Sequence, residues 1–469
     1  MVILLIVAVL YLNSRADLNV WHKADLDEEF NAEKGLSDFQ QYLSLEARLF
    51  QQLEEDVYQK VPAEQQANIN RYTRGSLSDP ERWPTNWNRT FELSAEQPTA
   101  GILLLHGMSD SPYSLRQLGT VLNGAGAYVI GLRLPGHGTA PSGLTDLEWQ
   151  DLEAAVELAM RHLANQSKGQ PLYIIGYSTG AALAVLYALS ALEDNRLSRA
   201  DGLILVSPAI GVSSLAVLAV WQARLGRWLG LDKLAWNSIS PEYDPFKYGS
   251  FAINAGDVVY RITGEIQRRI DDAQKNGTLS DLPPLLAFAS VVDATVSTPA
   301  LVSGLFDRLP AAEHELVLFD INHNANIEPI MRADTDAVLR LLQTDEDRPY
   351  ILSLVSNEPS RGDTVMVSRT APADAIGSET PLDIGWPEDL YSLSHVALPF
   401  PPQDPLYGGP DAAESPGIRL GDFALLGERG VLQIPAAEML RLRWNPFYRY
   451  LEKRVLDFLA LSPTQEPHN

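Results

Sequence analysis

Between residues 101 and 321 short, almost wholly apolar runs alternate with longer segments whose apolar positions recur at helical spacing. The runs predict buried strands at 101–106, 127–133, 171–176, 203–207, 284–290 and 314–321, and the longer segments predict helices near 113–124, 147–165, 179–192 and 298–308. Strands separated by helices pair in parallel through crossovers, so the expected architecture is α/β. It is a doubly wound, mostly parallel sheet with helices on both faces.

The rhythm is framed by other patterns. Residues 2–12 are an unbroken apolar run of signal-peptide length, too short to span a ~30 Å hydrocarbon core comfortably. With no basic residue before it and no small-x-small cleavage site after it, export with retention as an anchor competes with cleavage. Exported or membrane-anchored placement is therefore expected, with cytoplasmic placement as the alternative. Residues 13–86 form an N-terminal helical extension, in which Phe39, Tyr42, Leu43, Leu45, Leu49, Phe50 and Leu53 mark one amphipathic helix. Ser37, with Gln40 three residues on, offers its cap. The α/β unit takes 87–343, and within it 210–283 interrupts the strand-helix alternation with apparent helical stretches carrying Trp221, Trp228, Trp236, Tyr243, Phe246, Tyr248, Phe251 and Tyr260. An insertion at this point suggests a lid, although most of these rings are expected to pack between helices. Residues 344–469 form a Pro- and Gly-rich extension with strand-like stretches at 351–355 and 364–368 and a terminal helix at 445–459, capped by Asn445.

Composition removes several classes of function. The 36 basic and 60 acidic residues give a formal charge of −24, which repels nucleic acid. The absence of cysteine excludes disulfides, thiolate metal sites and a cysteine nucleophile. The eight histidines show no metal-ligand spacing, and the Gly-rich turn at 134–138 lacks the Lys-Ser/Thr of a phosphate loop, so neither metal nor cofactor is expected.

The chemistry centres on Gly176-Tyr177-Ser178-Thr179-Gly180, which follows an apolar strand and precedes an apolar helix. A serine on such a turn is projected as a nucleophile, and the helix N-terminus favours negative charge developing beside it. The strand at 101–106 runs into His106-Gly107-Met108, and the amides of Met108 and Thr179 are the natural oxyanion donors. His106 then reads as a structural hydrogen bonder beneath the turn.

Leu103-Leu-Leu-His-Gly-Met108, Arg133-Leu-Pro-Gly-His-Gly138 and Gly176-Tyr-Ser-Thr-Gly180 resemble, in order and spacing, the motifs of α/β-hydrolase carboxylesterases and monoacylglycerol-lipase-like enzymes over residues 88–325. The resemblance implies an α/β-hydrolase fold and a Ser, acid, His order. Asp293, in a loop resembling the family's Asp-x-x-Val, would be the acid, with Asp307 and Asp320 as weaker rivals. Two histidines compete for the base. His323 lies just past the last regular strand, where simple members place it. His395 requires the tail to return to the site, and is preferred because the chain around it is rich in aromatic residues and proline and the terminal helix comes only afterwards. The stretch Trp386-Pro and Ser392-Leu-Ser-His-Val-Ala-Leu-Pro-Phe400 also resembles a bacterial hydrolase subgroup with a C-terminal extension. The expected activity is hydrolysis of a carboxylic ester, apolar or lipid-derived. A thioesterase or serine aminopeptidase on the same fold, and a catalytically silent binding or scaffold protein, are the alternatives.

Overall fold

The computed structural model describes residues 15–211 and 232–325, and the chain from 327 to 462 apart from short stretches between 332 and 430. The apolar run at 2–12, and Trp221 and Trp228 of the insertion, lie outside the described residues. Among those described, no helix is long and apolar enough to cross a membrane.

Among the described residues, ten strands form one sheet. In chain order they are β1 (Phe91–Leu93), β2 (Gly101–Leu105), β3 (Tyr128–Leu132), β4 (Leu172–Tyr177) and β5 (Gly202–Val206), then, after the short pair β6 (Trp236–Ser238) and β7 (Phe251–Ala252), which forms a separate ribbon, β8 (Leu285–Ser290), β9 (Glu315–Phe319), β10 (Ile351–Asn357), β11 (Thr364–Thr370) and β12 (Ser378–Gly385). The order across the sheet is β1-β3-β2-β4-β5-β8-β9-β10-β11-β12. The seven strands from β3 to β10 are parallel, whereas β1, β11 and β12 pair antiparallel at the two edges. The expected α/β class and mostly parallel sheet are thus observed, and the six predicted central strands fall within two residues of the real ones.

Strand periodicity divides the core into two layers. Leu103, Leu105, Ile130, Ile174, Leu203 and Leu205 face one layer, and Ile102, Leu104, Val129, Ile175, Ile204 and Val206 face the other. The first layer is covered by α3 (Trp149–Gln166), α4 (Thr179–Glu193), α5 (Ile253–Asn276) and α6 (Thr298–Gly304), the second by α2 (Arg116–Gly124) and the terminal helix α7 (Tyr448–Phe458). Helix α4 is buried on every side from Thr179 to Ala191, which explains its almost uninterrupted apolar sequence.

The helix expected after Ser37 is α1 (Phe39–Asp56), but its cap is shifted by one residue. Asp38 Oδ1 accepts the Gln41 amide, while Gln41 Oε1 accepts the amide of Ser37. Tyr42 of α1 donates to the Arg133 carbonyl at 2.6 Å. Arg133 itself is buried and forks onto Glu29 at 2.9 Å and Glu46 at 3.0 Å. The N-terminal extension is therefore tied to the Arg-Leu-Pro-Gly-His-Gly turn by charges that are costly to separate once buried.

Residues 212–231 of the insertion lie outside the described residues, and its described part is helical at Asp232–Ala235, Ile253–Asn276 and Leu279–Asp281. The β6–β7 ribbon and its connecting loop precede the 24-residue α5. Phe246 stacks on Tyr113 at 4.3 Å, Trp236 is buried edge-on to His22, and Tyr248 bonds to the 136–139 turn, so these rings are packing residues as expected. In the tail, the stretches at 351–355 and 364–368 are β10 and β11, while β12, exposed and polar, carried no strand signal. Asn445 caps a turn by accepting the Phe447 amide, and α7 starts only at Tyr448.

Candidate active site

The order of strands reverses between β2 and β4, and the carboxyl ends of these two strands form the crevice where ligands bind in open α/β sheets. Ser178 leaves β4 there with φ 55° and ψ −115°, a conformation an L-residue holds only when its surroundings impose it. Those surroundings are close backbone approaches. A Cβ on Gly176 would come within 2.4 Å of the Ala181 backbone, and one on Gly180 within 2.1 Å of the Leu105 carbonyl oxygen. The Ser178 amide is spent on the Val206 carbonyl at 2.9 Å, and its own carbonyl accepts from Ala181, Ala182 and Ala209.

The turn after β2 lies directly against this serine, since a Cβ on Gly107 would sit 3.1 Å from Ser178 Cβ. Among the described hydrogen bonds none takes the Met108 or the Thr179 amide, so both N–H groups are available beside Ser178. His106 secures the turn from below: its Nε2 accepts the Leu134 amide at 3.0 Å, which leaves the proton on Nδ1 to donate to the Gly107 carbonyl at 2.9 Å. Burial and the neighbouring His137 push the His106 imidazole well below its usual range, keeping it neutral. His137, also fully enclosed, donates to the Pro135 carbonyl and is held down to about 4 by burial.

Asp293 follows β8. Its Oδ1 accepts the amides of Thr295 and Val296 at 2.8 and 3.0 Å, which turns Oδ2 toward His395 Nδ1, 2.8 Å away. A carboxylate only accepts, so the imidazole proton is on Nδ1 and Nε2 is left as an acceptor. Ser178 Oγ lies 3.0 Å from that Nε2. The imidazole is 4% exposed and packs beside the Tyr177 ring at 5.5 Å.

The structure thus brings Ser178, Asp293 and His395 together and leaves His323 outside. His323 Nε2 pairs with Asp320 at 2.9 Å, and the same carboxylate oxygen accepts from Ser356 of β10. The rival acid Asp320 is occupied in that pair, and the other rival, Asp307, sits in the turn after α6. Of the other histidines, His22 Nδ1 accepts the Asn19 amide, His314 Nδ1 accepts the amide of Leu285 and His162 Nε2 lies 3.3 Å from Glu92, while His468 lies outside the described residues.

What the sequence did not reveal is how the His395 loop is held. The buried Asp404 carboxylate accepts from Arg116 at 2.9 Å, from the Tyr113 hydroxyl at 2.9 Å and from the amides of Leu406 and Tyr407. Asn445 bridges the same loop, its amide donating to the Phe400 carbonyl and its side chain to that of Leu398. The only local signal was Asp404 followed by Pro405, a turn-forming pair; its partners lie about 290 residues away.

Residues 96–325 match the model of the family described as serine aminopeptidase, S33. The thermostable monoacylglycerol lipase of Bacillus sp. (strain H-257) is 25% identical over 223 residues, 48% of this chain and 82% of that one. Similar solved structures include one reported for LipS and LipT, two metagenome-derived lipolytic enzymes (20% identity, 55% of this chain and 98% of that one, TM-score 0.39), and the Paleococcus ferrophilus monoacylglycerol lipase (18%, 49% and 88%, TM-score 0.37). With its sheet order and its turns after β2 and β4, the matched segment makes the chain an α/β-hydrolase. Within that class the segment is similar to enzymes of the carboxylesterase and monoacylglycerol-lipase-like kind.

Proposed function

We propose that Ser178 attacks the carbonyl carbon of a carboxylic ester and carries its acyl group as a covalent intermediate. The observation that carries this reading is the imidazole of His395, 3.0 Å from Ser178 Oγ and 2.8 Å from the Asp293 carboxylate. As Oγ bonds to carbon, its proton passes to His395 Nε2, and Asp293 steadies the resulting imidazolium. The carbonyl electrons move onto oxygen, which the amides of Met108 and Thr179 stabilise. Loss of one such donor typically costs about 2.7–4 kcal/mol. Collapse expels the alcohol, which takes the proton from Nε2. Water, deprotonated by the same nitrogen, then releases the acid and regenerates Ser178.

The substrate in this reading is an ester with an apolar, lipid-derived acyl chain, in line with the monoacylglycerol lipase of Bacillus to which the chain is similar. An aminopeptidase would need a free carboxylate to hold the substrate's amine. The buried candidate beside the site, Asp244, already accepts two amides and the Tyr407 hydroxyl, which favours the ester. The test is labelling by a fluorophosphonate together with hydrolysis of 4-nitrophenyl esters of graded chain length. Labelling that is lost in Ser178→Ala, with kcat/KM rising with chain length, is expected. A folded wild-type protein that neither labels nor hydrolyses would return the chain to the scaffold reading, and a flat chain-length profile would remove the lipid substrate.

A further inference from the structure

A cavity of about 200 Å³ opens beside the Ser178 site. It is bordered by Ser109, next in sequence to Met108, and by Val396, next to His395, so it adjoins both the oxyanion turn and the base. Tyr243, Tyr248 and Phe251 of the insertion close part of its wall, and Arg441 and Arg443 enter it from the segment that leads into α7. Two other cavities lie against the N-terminal extension, away from Ser178.

The hydrogen-bonding capacity of this cavity is unbalanced. Its buried carboxylate, Asp244, is saturated: Oδ1 accepts the amides of Phe246 and Lys247, and Oδ2 accepts the Tyr407 hydroxyl. Asp110 is matched by Lys247 Nζ at 3.3 Å. The arginines are less fully matched. Arg443 is 8% exposed, and one of its terminal nitrogens donates to the Glu438 carbonyl at 3.1 Å and grazes the Tyr243 hydroxyl at 3.4 Å. Its buried Nε–H has no acceptor. Arg441 donates to Thr295 Oγ1, and its nearest carboxylate, the half-exposed Glu438, is 4.0 Å away. No described hydrogen bond takes the Arg443 Nη1 either, so the guanidinium that borders the cavity keeps donor capacity that an acceptor from outside can meet.

We propose that this cavity is a subsite for an anionic group, a carboxylate or a phosphate, carried by the ester substrate, with Arg443 and Arg441 as the residues that recognise it. The inference rests on the reading of Ser178 as the nucleophile and narrows its substrate to esters bearing an acidic group. Against a chain of formal charge −24, long-range electrostatics oppose an anionic substrate, so any preference for one must be generated locally. Glu438 is then a competitor for Arg441, and removing its charge should strengthen the preference.

The experiment compares matched pairs of neutral and anionic esters on the full chain. Mono-4-nitrophenyl glutarate against 4-nitrophenyl valerate puts the charge on the acyl side, and butyryl glycerol phosphate against monobutyrin puts it on the alcohol side. In at least one pair the anionic ester should have the higher kcat/KM, by about tenfold, the scale of one charge-assisted hydrogen bond. Arg443→Lys and Arg441→Gln should each lower that ratio several-fold, and Glu438→Gln should raise it. Arg441→Gln keeps the test informative if the buried Arg443 variant does not fold, because Arg441 is partly exposed. If the neutral esters are turned over and Ser178 is labelled, but both ratios are at or below one and none of the substitutions moves them, the subsite is wrong and the nucleophile stands. If neither neutral ester is hydrolysed and Ser178 does not label, the underlying reading has failed and the subsite falls with it.

Discussion

The segment from 101 to 211 and the segment from 386 to 445 supply facing halves of the same site by different physical means. Ser178 is positioned locally: β4 arrives buried, α4 leaves buried, and two glycines allow the backbone to close on itself at distances a Cβ could not share. His395 belongs to no regular element. Its loop is placed by contacts remote in sequence, above all the Asp404 carboxylate on Arg116 and Tyr113. A nucleophile turn written into one pentapeptide can be displaced only by deforming the sheet. A base held by a buried ion pair can be displaced while the sheet remains intact.

The comparison is tested most severely by removing the two competing imidazoles. His395→Ala should lower kcat by about 10⁴-fold or more, the scale on which a Ser-His pair acts as a unit, whereas His323→Ala should leave kcat within about threefold of wild type. Steady-state hydrolysis of a neutral ester by the two purified variants decides between them. The opposite ranking would mean that the tail only covers the site. The next largest effect should come from the anchor of the tail. Asp404→Ala leaves the buried Arg116 guanidinium without its partner and should cost about 3–5 kcal/mol in urea unfolding. It should also depress kcat by ten- to a hundredfold, through misplacement of His395, under conditions where the sheet is still folded by circular dichroism. Loss of stability with unchanged kcat would show that the loop is held by something else.

The same difference explains what could be read from the sequence. The central strands and the nucleophile turn were legible because hydrophobic period and glycine placement are local consequences of burial and backbone sterics, as Leu103-Leu-Leu105 and Gly176 to Gly180 illustrate. The preference for His395 over His323 rested only on the composition of the tail and the position of its terminal helix, because the contact that places the loop, Asp404 on Arg116, is made across the fold. Asp320 and His323 even imitate a functional pair, three residues apart at the end of the strand predicted at 314–321, yet they bond to each other. The exposed strand β12 was invisible because its Ser-Glu-Thr-Pro opening is polar and only Leu382 and Ile384 alternate after it. Arg443, whose Nε–H finds no acceptor among the described residues, carries no signal in the sequence around it.

Acid should act outside the tail. Burial depresses His22 to about 3 and His137 and His314 to about 4, and none of these residues lies in the tail. Because these folded-state values lie below the unfolded value of about 6.5, the unfolded chain binds more protons. The stabilisation is therefore complete above about pH 6.5 and is lost as the pH falls toward about 4. Between those limits His314→Gln, whose side-chain oxygen can still accept the Leu285 amide, should flatten the dependence of unfolding free energy on pH by up to about 1.4 kcal/mol per unit. Urea titrations at half-unit pH steps measure this slope, and an unchanged slope would mean that His314 is protonated in the native protein.

The smallest effect should come from the far edge of the extension. Ile384 on β12 is exposed, and among the described strands this one pairs only with β11, at the edge of the sheet. A lysine there keeps the backbone ladder and adds the charge that natural edge strands use to refuse further pairing. Ile384→Lys should change stability by less than about 0.5 kcal/mol and leave kcat/KM within about twofold. Thermal melts and ester hydrolysis compare it directly with Asp404→Ala. A large loss of activity from this edge would show that β10 to β12 and the His395 loop move as one body, and that the base is placed by the added strands as well as by the Asp404 anchor.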